Sequence, residues 1–214
     1  MSVPPLTRLC IVRHGETAWN AEHRVQGQLD VPLNAIGLAQ ARAASRVLGR
    51  EKFDVIWSSD LSRARQTAQP TADLLSAQVL LDKALRERHY GIFECLTYAE
   101  VKEKFPEDYA RFEAREPDYA FRTGESLKDF SARSIAAVSG IVKAYEGKSI
   151  LVFTHGGVLD HLHRFITGQP LSTERGFGIP NAGLNRIEVS AAGWQIHTWA
   201  DVAHLKGALD DLPG

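Results

Sequence analysis

Cysteine is scarce in this chain. Only Cys10 and Cys95 occur among 214 residues, too few for a disulfide framework. Cys10 lies in an apolar run, where a thiol packs as a small hydrophobe. No excess of basic residues exists either: 25 Lys and Arg stand against 26 Asp and Glu, a formal net charge of −1. Without a global positive field, no nucleic-acid partner and no membrane partner are expected, and any anion site must be local. No apolar run reaches the roughly 20 residues of a membrane span. No N-terminal stretch joins basic residues to an apolar core, so a secretory signal is not expected. These absences leave a cytoplasmic, reducing setting as the default. Internal repeats, low-complexity tracts and interdomain linkers are also missing.

What is present is ordinary globular composition, 44% hydrophobic and 24% charged. The length suits a single domain over residues 1–214 with a sizeable core. Apolar β-branched runs at Arg8–Val12, Asp54–Ser58, Val79–Leu81 and Ser149–Phe153 read as strands, and Asn185–Val189 with Gln195–Trp199 reads as a closing hairpin. Helical patterns fill Gly37–Leu48, Ser62–Leu75, Ser126–Tyr145 and Val158–Thr167, with Ser59 or Asp60 as the cap of the second. Short helices are expected at Thr97–Phe105 and Asp108–Glu113, and a long polar loop at Gly15–Asn34. Alternating strands and helices predict an α/β three-layer sandwich: a mainly parallel central sheet, helices on both faces, and a helical lid excursion over about residues 88–125.

Two strand ends are alike. Val12 leads into Arg13-His14-Gly15, and Phe153 leads into Thr154-His155-Gly156-Gly157. Parallel strands end on one side of the sheet, so the histidines converge there. The strand at Val55 adds Arg63 or Arg65 from the helix that follows it, and Gly156 and Gly157 add backbone N–H donors at a helix start. Guanidinium forks and amide donors suit phosphate. Cations around a histidine disfavour imidazolium, and a neutral imidazole can attack phosphorus. The leaving alkoxide then needs an acid, for which Glu87, just past the third strand, is the candidate.

The chain resembles the histidine phosphatase, or phosphoglycerate-mutase-like, superfamily along nearly its whole length. Arg13-His14-Gly15-Glu16-Thr17, then Trp19-Asn20, Gln26-Gly27 and Leu33–Gly37 match in order, followed by Ser58–Ala68, Glu87 with Gly91–Glu94, Gly124-Glu125-Ser126 and Thr154–Gly157. The resemblance implies His14 as the phosphorylated nucleophile, and Arg13, Arg63 and His155 as the phosphate pocket. It implies Glu87 as proton donor and then base, and Asn20, Gln26, Gly27 and Gly156 as substrate contacts. It selects Arg63 over Arg65. No metal and no other cofactor are implied, because the arginines supply the positive charge.

The expected activity is metal-independent hydrolysis of a small-molecule phosphate ester through phosphohistidine. A phosphoglycerate mutase is the alternative, and a non-catalytic phospho-ligand binding module is the alternative of another class. Residues 102–117 lack adjacent paired arginines and intersperse acids, which favours the phosphatase; Glu87–Gly91 is mutase-like. The aromatic set Tyr90, Phe93, Tyr109, Phe112, Tyr119 and Phe121 either packs the lid or meets a bulky organic group. Asp160-His161-Leu162-His163 invites a metal reading, but histidines two apart do not share a helical face, so surface positions are expected. Arg111, Arg115 and Arg122 are either solvated helix charges, which is the expectation, or reach an anionic group of the substrate. A homodimer is compatible with the sequence, which does not determine the oligomeric state.

Overall fold

A computed structural model describes residues 5–207. Six strands form one sheet in the order β3-β2-β4-β1-β5-β6. They are β1 (Thr7–Arg13), β2 (Val55–Ser58), β3 (Val79–Leu81), β4 (Ser149–Thr154), β5 (Leu184–Ser190) and β6 (Gly193–Asp201). The first four run parallel; β5 and β6 close the sheet as an antiparallel hairpin.

The period-2 alternation of the strands divides the core. Leu9, Ile11, Ile150 and Val152 face α6 (Leu127–Ala144) and α7 (Gly156–Thr167), meeting Phe130, Val138, Val158 and Leu162. Cys10, Val12, Leu151 and Phe153 face α2 (Ala35–Leu48) and α3 (Ser62–Leu75), meeting Ala44, Leu48, Ala68 and Ala72. The alanines on α2 and α3 let those helices pack closely. Burial raises the Cys10 thiol pKa to about 12, so it behaves as a hydrophobe. Among the described residues no helix is long and apolar enough to cross a membrane.

Several local expectations change. The long polar loop contains a short helix, α1 (Ala18–Ala21), closed by a capping box between Thr17 and Asn20. Neither Ser59 nor Asp60 caps α3, whose N-cap position is Leu61. Asp30 does so from the loop, accepting from Ser62 N at 2.6 Å and Ser62 Oγ at 2.8 Å, while Asp60 pairs with Arg86. The short helices are α4 (Tyr98–Lys104) and α5 (Pro106–Glu113), where Pro106 opens the second because a first-turn proline loses no hydrogen bond. The excursion has its own small core of Val25, Phe93, Val101, Tyr119 and Phe121.

Candidate active site

Strand register puts the two histidines side by side. Arg13 pairs with Thr154 at the carboxyl ends of β1 and β4, so His14 and His155 follow on adjacent strands. Their ring centroids lie 5.2 Å apart, at 3% and 0% exposure. Arg63, in the first turn of α3, is fully buried beside them, whereas Arg65 is exposed. A cup of about 120 Å³ is lined by Arg13, His14, Arg63 and Glu87 together with Asn20, Gln26 and Gly27.

Hydrogen bonds assign the tautomers. His14 Nδ1 lies 2.7 Å from Gly15 O, and a carbonyl only accepts, so Nδ1 carries the proton and Nε2 keeps a free lone pair. His155 Nδ1 accepts from Arg63 Nε at 3.3 Å, which leaves Nε2–H to donate to Ser59 Oγ at 2.8 Å. Burial first, then Arg63 and Arg13, hold the His14 pKa well below 6.5. His155 is held low by burial, then by Arg63 and His14. Burial lowers Arg63 to about 10, so it remains a cation at neutral pH.

The arginines are tied from behind. Arg63 donates to Leu29 O at 2.8 Å and Gly27 O at 2.7 Å, and Arg13 Nη1 donates to Ile179 O at 2.6 Å. Gly27 presents its carbonyl from a φ of +53°, a conformation that disfavours a side chain. Two polar atoms in the cup have no partner: Arg13 Nε and Gln26 Oε1 are buried and unbonded. Such groups cost free energy until a ligand satisfies them. Asn20 serves the loop as well, accepting from Thr17 N at 3.1 Å.

Glu87 faces this cup from the third-strand side. Its carboxylate accepts from Gly157 N at 2.9 Å and from Arg88 N at 2.8 Å. Gly157 admits it because a Cβ there would lie 2.1 Å from Glu87 Oε1. Beyond Glu87 the cup opens, past Arg13, Tyr90 and Tyr98, into a cavity of about 480 Å³. Phe112, Leu127 and Phe130 give it an apolar wall; Arg115, Asp160, Glu174 and Arg175 give it a charged one, with the His161 imidazole among them.

Two expectations are corrected here. Asp160 and His161 are buried rather than on the surface, because the first turns of α7 lie between the sheet, α6 and the excursion. Arg115 is not simply solvated: it donates to Asp160 at 3.0 Å and to Leu171 O at 2.8 Å. Among the described residues, no group of three or more His, Cys, Asp and Glu is placed to hold a metal ion. Of the lid aromatics, Phe93, Tyr119 and Phe121 pack the small core, while Tyr90 and Phe112 also line the cavity.

The sequence does not single out Asn181, and offers Ser59 only as a candidate helix cap and as part of the Ser58–Ala68 block. Asn181 donates to His14 O at 3.0 Å, and Ser59 holds the His155 ring. Neither carries a charge or a glycine signal, so nothing in the sequence pointed to these roles. Arg88 and Arg133 were visible as charges only, and their partners come from distant segments.

The model of the histidine phosphatase superfamily, branch 1, matches residues 9–202. The chain belongs to this superfamily. As a histidine phosphatase-superfamily member, it is 39% identical over 203 residues to a metal-independent phosphoserine phosphatase of Arabidopsis thaliana, covering 94% of this chain and 84% of that relative. It is 36% identical over 218 residues to a probable phosphoglycerate mutase of Enterobacter sp. (strain 638), covering 97% of this chain and 99% of that one. Its fold matches that of a mycobacterial glucosyl-3-phosphoglycerate phosphatase complexed with VO3, with TM-score 0.80, 32% identity, and coverage of 90% and 98% of the two chains. The α/β architecture is therefore that of the superfamily.

Neutral buried histidines couple the stability of this superfamily member to pH. Unfolding returns His14, His155 and His161 to an ordinary value near 6.5, whereas the folded values are lower, about 4 for His161, where burial is the main cause. Below about pH 6.5 the unfolded chain binds more protons, so stability is complete above that pH and is lost as pH falls. For His161 the loss accrues between about 6.5 and 4, at up to ~1.4 kcal/mol per pH unit. Urea midpoints measured from about pH 7.5 down to about pH 4.5 should fall, and less steeply in His161→Asn. A midpoint indifferent to pH would contradict the burial of neutral imidazoles.

Proposed function

We propose that this protein is a phosphomonoester hydrolase that needs no metal and works through a phosphohistidine on His14. The observation that carries the reading is the tautomer: a buried imidazole with Nδ1–H spent on Gly15 O and Nε2 free, in a cup walled by two guanidinium groups. Nε2 forms a bond to phosphorus as the ester P–O bond breaks, and Glu87 in its acid form protonates the departing alkoxide. Water then attacks the phosphohistidine, Glu87 takes its proton, and phosphate leaves with His14 neutral again. Arg13 and Arg63 hold the phosphoryl oxygens throughout, and His155, whose ring nitrogens are engaged by Arg63 and Ser59, orients Arg63 from behind, so positioning and charge supply most of the acceleration. Gln26, with its unbonded Oε1, and Asn20 and Gly27 complete the cup, and Gly156 opens α7 beside Arg13.

The hydrolase is favoured over the mutase by the cavity. A mutase must keep a three-carbon acid in place while it reorients. A space of about 480 Å³ beside the cup lets such a molecule leave and lets water in. The test is turnover of p-nitrophenyl phosphate in chelator-treated protein. Interconversion of phosphoglycerates dependent on a bisphosphate primer would assign the mutase instead. Binding of phosphate without turnover of any ester would assign the binding module.

The substrate has a charged organic part. Arg175, exposed at the rim, lines the same cavity as Arg13 and Tyr98 and has no acidic partner among the ion pairs of the described residues. A carboxylate-bearing ester supplies one. Replacing Arg175 by alanine should raise KM for phosphoserine or phosphoglycerate about tenfold more than for p-nitrophenyl phosphate, or ~1.4 kcal/mol. Equal effects on all three would remove Arg175 from recognition. A reducing, cytoplasmic setting fits the two free thiols.

A further inference from the structure

Four consecutive backbone carbonyls end at Glu87, and a side chain holds each one. Ala84 O and Arg86 O both accept from Arg133 Nη1, at 2.8 and 3.0 Å. Leu85 O accepts from Thr154 Oγ1 at 2.8 Å. Glu87 O accepts from Arg133 Nη2 and from Gln28 Nε2, each at 3.2 Å. The same guanidinium forks onto Glu125, Nε to Oε1 and Nη2 to Oε2, both at 2.7 Å. All five of its N–H donors are therefore used. Glu125 Oε2 also accepts from His89 N at 2.8 Å. Burial pushes the Glu125 pKa up, but the bonds from Arg133 and His89 N–H outweigh burial and keep it below its ordinary value.

This matters because residues 86–90 belong to no strand or helix. No ladder fixes where the Glu87 backbone lies, and so none fixes where its carboxyl points. Arg133 lines neither the cup nor the cavity and stands behind the segment on α6.

We propose that Arg133 is a positioning residue for leaving-group protonation: it clamps the backbone of residues 84–87 onto α6 and Glu125 so that the Glu87 carboxyl stays on Gly157 N–H and over the cup. The inference rests on Glu87 being the acid. An ammonium cannot replace the fork, since its donors radiate from one atom and cannot span three carbonyls and both carboxylate oxygens.

The test compares Arg133→Lys with Glu87→Gln on two esters, p-nitrophenyl phosphate and an alkyl phosphate whose alkoxide must be protonated to leave. Arg133→Lys should lower the single-turnover rate of phosphohistidine formation from the alkyl ester by about 10- to 100-fold, and from p-nitrophenyl phosphate by no more than about threefold, with ester binding nearly unchanged for both. Counts of phosphohistidine per chain correct for inactive protein. Equal losses on the two esters, or none, would overturn the proposal while a selective loss in Glu87→Gln leaves the acid assignment standing. A selective loss in Arg133→Lys without one in Glu87→Gln would overturn it too, because Arg133 would then act through something else. Absence of selectivity in both variants would overturn both assignments. Should Arg133→Lys not fold, Glu125→Gln, which keeps an acceptor but loses the charge, should show the same selectivity more weakly; uniform loss there counts against the proposal.

Discussion

Replacing His14 with alanine should lower turnover by about four to six orders of magnitude and abolish the acid-labile phosphoenzyme. The size of the loss follows from what the remaining residues can do. Arg13 and Arg63 still bind and polarise the phosphoryl group, but no other unprotonated nitrogen offers a free lone pair there. The His155 Nδ1 lone pair already accepts from Arg63 Nε, and its Nε2 carries the proton bonded to Ser59. His155 therefore does not replace His14. Phosphate binding should survive, and should tighten if anything, because the deletion leaves room beside two arginines. The measurement is single-turnover quench with an isotopically labelled ester, alongside phosphate binding by titration calorimetry. A labelled, acid-labile species that persists in His14→Ala would refute the nucleophile assignment. Circular dichroism separates loss of chemistry from loss of fold.

The parts of this site that could be read in advance share one property: a local pattern places them. His14 and His155 were legible because each follows a buried apolar run and precedes glycine, and parallel strands share a carboxyl edge. The central sheet and its flanking helices were legible for a related reason, since period-2 and helical spacing are written within each segment. What escaped depends on segments meeting. Asp30 capping α3 from 32 residues away has no sequence signature, and neither has the burial of Asp160 and His161 under the excursion. Their helix shows an apolar face, but which neighbour covers the polar side is decided by how residues 98–123 fold back. Arg115 escaped for the same reason: a surface-looking arginine becomes a cavity residue once Asp160 and Leu171 O converge on it. Arg63 over Arg65 was separated only by the family resemblance; the structure gives the physical reason, since α3 turns the first toward the strand ends and the second toward solvent.

Glu87→Gln is the variant that separates chemistry from binding most sharply. Glutamine keeps an oxygen that can accept from Gly157 N and Arg88 N, so the side chain should stay where the carboxylate sits. What it loses is the transferable proton. Alkyl phosphates leave as strongly basic alkoxides, and without the acid their phosphoryl transfer to His14 should slow by about 10²–10⁴-fold. The nitrophenolate of p-nitrophenyl phosphate is a weak base and needs little help, so its first step should fall by much less. Hydrolysis of the phosphohistidine should also slow, because the attacking water loses its base. With p-nitrophenyl phosphate the rate-limiting step would therefore move to dephosphorylation, and a burst of nitrophenolate equal to the active sites should precede slow turnover. Leaving-group dependence and burst report two consecutive uses of one carboxyl group. Equal slowing of both esters, with no burst, would show that Glu87 takes no part in proton transfer and would leave Gly157 N–H with a purely structural partner.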